Sequence, residues 1–179
     1  MVTIFTIGHS TRSIEDFLQL LQIHHVEHVV DIRAFPGSRN NPQFGQDQLR
    51  GSLGDAGIQY THLASLGGRR RVPSTDASLA WRNASFRAYA DYLQTPEFAG
   101  GLEELIDMSA AHQVVIMCAE AVPWRCHRSL IGDALLARGI EVCDILSATS
   151  ARAHQLTRFA HVDGTKVTYP ATAPEPGDG

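Results

Sequence analysis

The sequence predicts an α/β fold: a single domain with a mostly parallel open sheet of about five strands, helices on both faces and a short C-terminal β-hairpin. Three observations lead there. Short apolar runs with no polar face, such as VTIFTIG at 2–8 and VVIMC at 114–118, alternate with amphipathic helical stretches, the pattern of parallel strands covered on both sides. The 179 residues, 44% of them hydrophobic, suit one core. No internal repeat and no linker interrupts the chain before a Pro/Gly-rich end, PATAPEPGDG, so residues 1–169 read as one domain and 170–179 as a disordered tail.

The elements follow in order. Val2 to Gly8 is a central strand, and Gly8-His9-Ser10-Thr11 ends it. A helix follows with Ser13 as N-cap and Asp16 three residues on, its apolar stripe being Ile14, Phe17, Leu18 and Leu21. His25 to Ile32 is the second strand, with Asp31 and Arg33 at its end. A turn-rich loop from Phe35 to Pro42 leads to a helix from about Gln46 to Ala56, closed by Gly57 as a left-handed cap. Ile58 to His62 is a third strand. From Leu66 to Asn83 the pattern breaks down; Gly67-Gly68-Arg69-Arg70-Arg71 and Pro73 suggest a mobile excursion or a functional cover. Helical spacing returns at 85–94 and again from Pro96 to about His112. The strand 113–118 then turns into a helix predicted over 123–138 and stopped at Gly139. Ile140 to Leu146 is the last core strand, and residues 159–167 form a hairpin turning at Asp163-Gly164.

The formal net charge of -4 and pI of about 6.1 give no global reason for tight nonspecific nucleic-acid binding. Three cysteines, Cys118, Cys126 and Cys143, are too few and too irregular for a disulfide framework. No apolar run reaches membrane-spanning length and the first residues do not read as a signal peptide, so no membrane partner is expected and the cytoplasm is the default compartment.

Right-handed crossovers bring parallel strand ends to one edge, where ligands bind. His9, Ser10, Asp31, Arg33 and the turn from Cys118 to Arg128 therefore converge, and Tyr60 ends near them. Cys118 and Arg125 are spaced Cys-x6-Arg between a strand and a helix. Cysteine phosphatases and sulfur carriers place a nucleophilic thiol there, where loop N–H groups stabilise the thiolate. The usual phosphatase spacing is one residue shorter, and Glu120 inside the loop opposes a phosphate dianion. A buried inert cysteine is the plainer reading of Cys118. Cys126, placed in a first helical turn among Arg125, His127 and Arg128, is the second candidate thiol. Asp31 and Glu120 are candidate acid–base groups or braces for the arginines. On a continuous helix, Arg125 and Arg128 are the pair that faces one site, with His127 bracing the loop. Cys118, Glu120, Cys126, His127 and His9 also raise a metal site, but their spacing matches no common zinc pattern, and no metal is assigned. Arg69–Arg71 reads as a solvated loop or as a phosphate-gripping flap, with Tyr89 and Tyr92 as aromatic neighbours able to stack a base.

Taken together, Ile7-Gly8-His9-Ser10, Asp31-Ile32-Arg33 with Pro36 and Ser38, Leu66-Gly67-Gly68, and Cys118-Ala119-Glu120 with Pro123 and Cys126-His127-Arg128 resemble the prokaryotic family catalogued as domain of unknown function 488. The resemblance runs from Ile4 to about Tyr169. It implies a single α/β domain with a shared polar site at His9, Ser10, Asp31, Arg33, Cys118, Glu120, Cys126, His127 and Arg128. It implies no particular reaction and no cofactor.

The expectation is an enzyme, a hydrolase or transferase, acting on a phosphorylated or nucleotide-like anion. His9, Asp31, Cys118, Glu120 and Cys126 are its candidate catalytic groups; Ser10, Arg33, Arg125, His127 and Arg128 are its candidate ligand contacts. The alternatives are a noncatalytic nucleotide or nucleic-acid-binding module, which the negative charge disfavours, and a Cys/His/Glu metal site. The cofactor and the oligomeric state are left open.

Overall fold

The structure is a computed structural model that describes residues 2–37, 39–68 and 72–171. The arginines of the expected flap and residues 172–179 of the expected tail lie outside the described residues, as does Ser38.

Strands β1 (Thr3–Gly8), β2 (His28–Asp31), β3 (Gln59–His62), β4 (Val114–Cys118), β5 (Glu141–Ile145) and β6 (Ala151–Ala153) form one sheet in the order β3-β2-β4-β1-β5-β6. The first five are parallel, and β6 adds antiparallel to β5. That edge strand has no sequence signal: its three residues, Ala151-Arg152-Ala153, are exposed. Two short strands, β7 (His161–Asp163) and β8 (Lys166–Thr168), form the expected hairpin.

The strand side chains divide by parity, as a pleat requires. Ile7, Val29, Val115 and Met117 face helices α1 (Ile14–Ile23) and α2 (Gln46–Asp55), meeting Phe17, Leu21, Leu49 and Leu53. Ile4, Val30, Val114, Ile116 and Cys118 face the other way, toward α3 (Ala84–Tyr92), α4 (Pro96–Ala111) and α5 (Arg128–Ala137). Cys118 therefore points from the end of β4 toward the start of α5.

Local chemistry sets the helix ends. Ser13 Oγ accepts from Asp16 N at 3.1 Å, and Thr95 Oγ1 from Phe98 N at 3.2 Å with Pro96 in the first turn; such caps contribute about 1 kcal/mol each. Gly57 takes φ +75° after α2, as its position predicts. The second strand is shorter than expected because the chain leaves α1 through His25 at φ +57°, with Val26 N still donating to Leu21 O.

Two sequence expectations change. The stretch from 123 is not one helix. Pro123–Arg125 form a single 3₁₀ turn, Cys126 is extended (φ -133°, ψ 144°), and α5 starts only at Arg128. Proline fits the first residue of either helix type, so it marks the turn but not how far the turn runs. The described part of the 66–83 excursion is tied down rather than loose. Thr75 donates its N–H and its hydroxyl to Asp91 Oδ1 (3.1 and 2.6 Å), and Ala80 N donates to Tyr169 O at 2.8 Å.

The chain runs outward from β1 through β2 to β3, returns to β4, and crosses over β1 to β5. Connections leaving β1 and β4 thus diverge, which makes the crevice between their C-terminal ends the switch point of the sheet. Among the described residues, no helix is long and apolar enough to cross a membrane.

Candidate functional site

A cavity of about 690 Å³ opens at this switch point. His9, Ser10, Arg33, Cys118, Glu120, Arg125, Cys126 and His127 all reach its wall. Asp31 and Arg128 do not; they are buried behind it, at 0% and 1% exposure. The convergence read from the strand ends therefore holds for all ten candidates, in two layers.

The backbone brings β1 and β4 into unusually close contact at the cavity floor. His9 N donates to Cys118 O (2.9 Å) and Ser10 N to Ala119 O (3.0 Å), continuing the ladder past Gly8. A Cβ on Gly8 would sit on the carbonyl of Glu120 and press on the Arg128 guanidinium. Only glycine allows that approach. Ser10 then turns the chain out of the sheet at φ +50°.

On one side of the crevice Asp31 is saturated. It accepts from Arg33 Nε (2.9 Å) and Nη2 (2.7 Å), from the Arg33 backbone N–H (3.0 Å) and from the Tyr60 hydroxyl (2.6 Å). Burial and this hydrogen bond to Asp31 push the Tyr60 phenol far up, so it stays a donor. Arg33 spends its Nη1 on Phe44 O (2.7 Å) and on His9 Nε2 (3.4 Å). His9 stacks on Phe44 with ring centres 4.4 Å apart. Its Nδ1 lies 2.8 Å from the Ser10 carbonyl, which only accepts, so Nδ1 carries the proton and Nε2 presents a lone pair. Burial, with Arg33 adding to it, holds this imidazole below its usual range. Asp31 thus spends both carboxylate oxygens on these donors, and Arg33 is paired with it.

On the other side the pairing is with sulfur. Cys126 Sγ lies 2.8 Å from Cys118 Sγ, and Arg128 Nη1 lies 2.7 Å from Cys118 Sγ. Arg128 also donates Nη1 to Glu120 O (2.6 Å) and Nη2 to Ala121 O (3.2 Å), while its buried Nε has no hydrogen-bond partner among the described residues. Burial opposes ionisation of Cys118, but the Cys126 hydrogen bond and the Arg128 charge and N–H overcome it. They bring the thiol from 9.0 down to about 7. Cys126 goes the opposite way from its sequence expectation. Burial, the hydrogen bond it gives to Cys118 and the negative charge there push it well up. The two thiols are therefore shifted in opposite directions: Cys118 toward the thiolate, and Cys126 toward the neutral thiol that donates to it.

The mouth of the cavity is different again. Glu120 and Arg125 are exposed on its wall, and neither side chain has a hydrogen-bond or ion-pair partner among the described residues. His127 braces the loop as expected: its Nε2 donates to Leu66 O at 3.2 Å, its Nδ1 lies 3.6 Å from Cys126 Sγ, and it packs on Tyr89. Tyr89 and Tyr92 are buried, with their hydroxyls on the Leu66 and Ser65 carbonyls. Of the two, Tyr89 lines the cavity. Among the described residues, no group of three or more His, Cys, Asp or Glu side chains is placed to hold a metal ion.

A family model described as "Domain of unknown function DUF488" matches residues 13–135. The chain belongs to the DUF488 family. The match spans Asp31, Arg33, Cys118, Glu120 and the Cys126–Arg128 run of this DUF488 protein and begins after His9 and Ser10. Comparison with curated proteins and with solved structures finds no match.

Sequence reasoning missed a cluster just behind the DUF488 site. His154 lies 3.0 Å from Asp133 and 3.3 Å from Asp144; Asp133 also accepts from the Tyr169 hydroxyl at 2.7 Å, and Asp144 from Thr6. Burial works against a charged His154, but the two carboxylates raise it to about 9. Asp133 on the apolar run LIGDALL was the available signal, since a carboxylate inside a buried helix face needs a partner.

Proposed function

We propose that this protein is a cysteine-dependent group-transfer enzyme, a hydrolase or transferase, with Cys118 as the nucleophile. Its ligand is a small phosphorylated or nucleotide-like anion bound in the strand-end cavity. One observation carries the reading. Arg128 is a fully buried cation to which no carboxylate is hydrogen-bonded among the described residues, and its Nη1 points at Cys118 Sγ from 2.7 Å. A buried charge needs a countercharge; Asp144 feels the Arg128 charge from a distance, and a Cys118 thiolate is the anion in direct contact with it.

The remaining groups take roles that suit their surroundings. Cys118 attacks the electrophilic phosphorus; the S–P bond forms as the bond to the leaving oxygen breaks, and that oxygen keeps the electron pair. Glu120, exposed at the mouth, protonates the leaving oxygen and then takes a proton from the water that releases the phosphoryl group. Arg125 meets the anion, since Arg33 and Arg128 are already committed to Asp31 and Cys118. The exposed Phe35 and the partly buried Phe86 add aromatic surface to the cavity lining for a base.

Alkylation by iodoacetamide followed across pH tests this. Cys118 should react with a midpoint near pH 7, well before Cys143, whose thiol is pushed up by burial and by Asp144. A nucleoside monophosphate should protect Cys118, and Arg125→Ala should weaken that protection by about tenfold. A Cys118 midpoint at or above that of Cys143 overturns the nucleophile; protection unchanged in Arg125→Ala overturns the anion contact.

A further inference from the structure

The second sulfur is not needed for group transfer. Cys126 gives Cys118 a hydrogen bond, but a serine or a backbone amide would do the same without a buried reactive thiol. Three features set the pair apart. The two Sγ atoms are 2.8 Å apart and both residues are buried, at 3% and 5% exposure. Cys126 sits on an extended residue between two helical turns, held by its N–H to Pro123 O at 3.1 Å; its side chain is therefore outside any helix that would resist a small shift. Both cysteines also line the same cavity, so a small reagent in that cavity lies next to the pair.

We propose that Cys118 and Cys126 are a redox pair in which a small hydroperoxide oxidises Cys118 and Cys126 closes a disulfide onto it. This rests on Cys118 being the nucleophile. The first step is attack of the Cys118 sulfur on the peroxide oxygen. An S–O bond forms, the O–O bond breaks, and the leaving alkoxide or hydroxide takes the electron pair and a proton from water. Cys118 is then a sulfenic acid. In the second step Cys126 attacks the Cys118 sulfur: the S–S bond forms, the S–O bond breaks, and the departing hydroxide takes the Cys126 proton and leaves as water. Two electrons have passed from the sulfur pair to the peroxide. To reach bonding distance the sulfurs move by less than about 1 Å. A low-molecular-weight thiol closes the cycle: two equivalents reduce the disulfide to the two cysteines and are themselves oxidised to a disulfide.

Arg128 sets the direction of that cycle. In the reduced state it pairs with the Cys118 sulfur; in the disulfide it is a buried cation without that partner. The reduced form is favoured, so the disulfide is a ready oxidant that small thiols reverse. While it lasts, the nucleophile is withdrawn and group transfer stops. The oxidant is placed among the small hydroperoxides because it must lie against Cys118 beside Cys126 in the cavity.

The test treats the full-length wild-type protein with stoichiometric hydrogen peroxide near neutral pH, followed by intact mass and a nonreducing peptide map. The expected product has lost two hydrogens, joins the peptides holding Cys118 and Cys126, leaves Cys143 open to alkylation, and reverts with dithiothreitol. In Cys126→Ser the reaction should stop at one added oxygen on Cys118, trapped by dimedone, with the variant's fold checked by circular dichroism. Wild-type Cys118 that over-oxidises to the sulfinic acid with no Cys126 link overturns the pair and leaves the nucleophile standing. Wild-type Cys118 that reacts no faster than Cys143 overturns both readings.

Discussion

Two buried arginines stand on either side of the same crevice, and they are held in opposite ways. Arg33 is gripped in a fork by Asp31 and is 7% exposed. Arg128 is 1% exposed and faces a sulfur and two carbonyls, with no hydrogen-bond partner for Nε among the described residues. The first pair is closed. Its charges cancel, its donors are spent, and it fixes His9 and the Phe44 carbonyl in place. The second is open. A guanidinium always carries its charge, but a thiol changes its own near neutral pH when such a cation lies beside it. One arginine therefore builds the wall, and the other tunes the thiol proposed as the nucleophile.

The largest effect that tests this contrast is on stability. Asp31→Asn leaves Arg33 a buried cation without its carboxylate, which should cost about 3–5 kcal/mol in urea unfolding. The alkylation midpoint of Cys118 should stay where it is, because Asp31 is bonded to Arg33 and Tyr60 while Cys118 is tuned by Cys126, Arg128 and the Glu120 carbonyl. A cost under about 1 kcal/mol would mean that Arg33 readily finds another partner, and the contrast between closed and open pairs would fail.

Arg128→Met should show the reverse. Cys118 loses the adjacent cation and moves back toward the ordinary 9.0 from about 7. The ionised fraction at neutral pH then falls, and alkylation should slow by up to roughly fifty-fold, the limit set by a full return to 9.0; the Cys126 hydrogen bond that remains keeps the loss short of that limit. Stability should change less than in Asp31→Asn, because the thiol left behind takes up a proton and no buried charge remains. Undiminished reactivity would assign the lowered thiol to the Cys126 hydrogen bond alone.

The same contrast explains what the sequence could and could not convey. Apolar runs without polar faces located β1 and β4, and parallel ends placed His9, Asp31, Arg33 and Cys118 together. Asp31 and Arg33 are two residues apart, so their pairing is nearly local. Arg128 meets Cys118 across ten positions and only because Cys126 breaks the helix. Nothing in PWRCHR says that the residue after Arg125 is extended; on a continuous helix Arg125 and Arg128 would have faced one site together. In the fold Arg125 lies exposed on the cavity wall, while Arg128 turns inward under Gly8. The Asp133–His154–Asp144 cluster was hidden for the same reason. Its members come from a helix, a strand and the chain after β6, and only the packing of α5 against β5 brings them together.

That cluster sets up the smallest and most discriminating effect, which is on the pH dependence of stability. Cys118 is an acid whose value is depressed in the fold, from 9.0 to about 7. Its contribution is fully present above the unfolded value and is lost as pH falls through about 7. His154 is a base whose value is raised, from 6.5 to about 9. Its contribution is full below the unfolded value and is lost as pH rises through about 9. Between neutral pH and 9 the two slopes oppose each other, so wild-type stability from urea unfolding should be nearly flat there. Cys118→Ser removes the rising slope and should leave stability falling with pH over this window. His154→Gln removes the falling slope and should leave it rising. A Cys118→Ser curve as flat as wild type would show that Cys118 folds as a neutral thiol and that Arg128 is balanced by Asp144, the carboxylate whose lowered value already registers its charge.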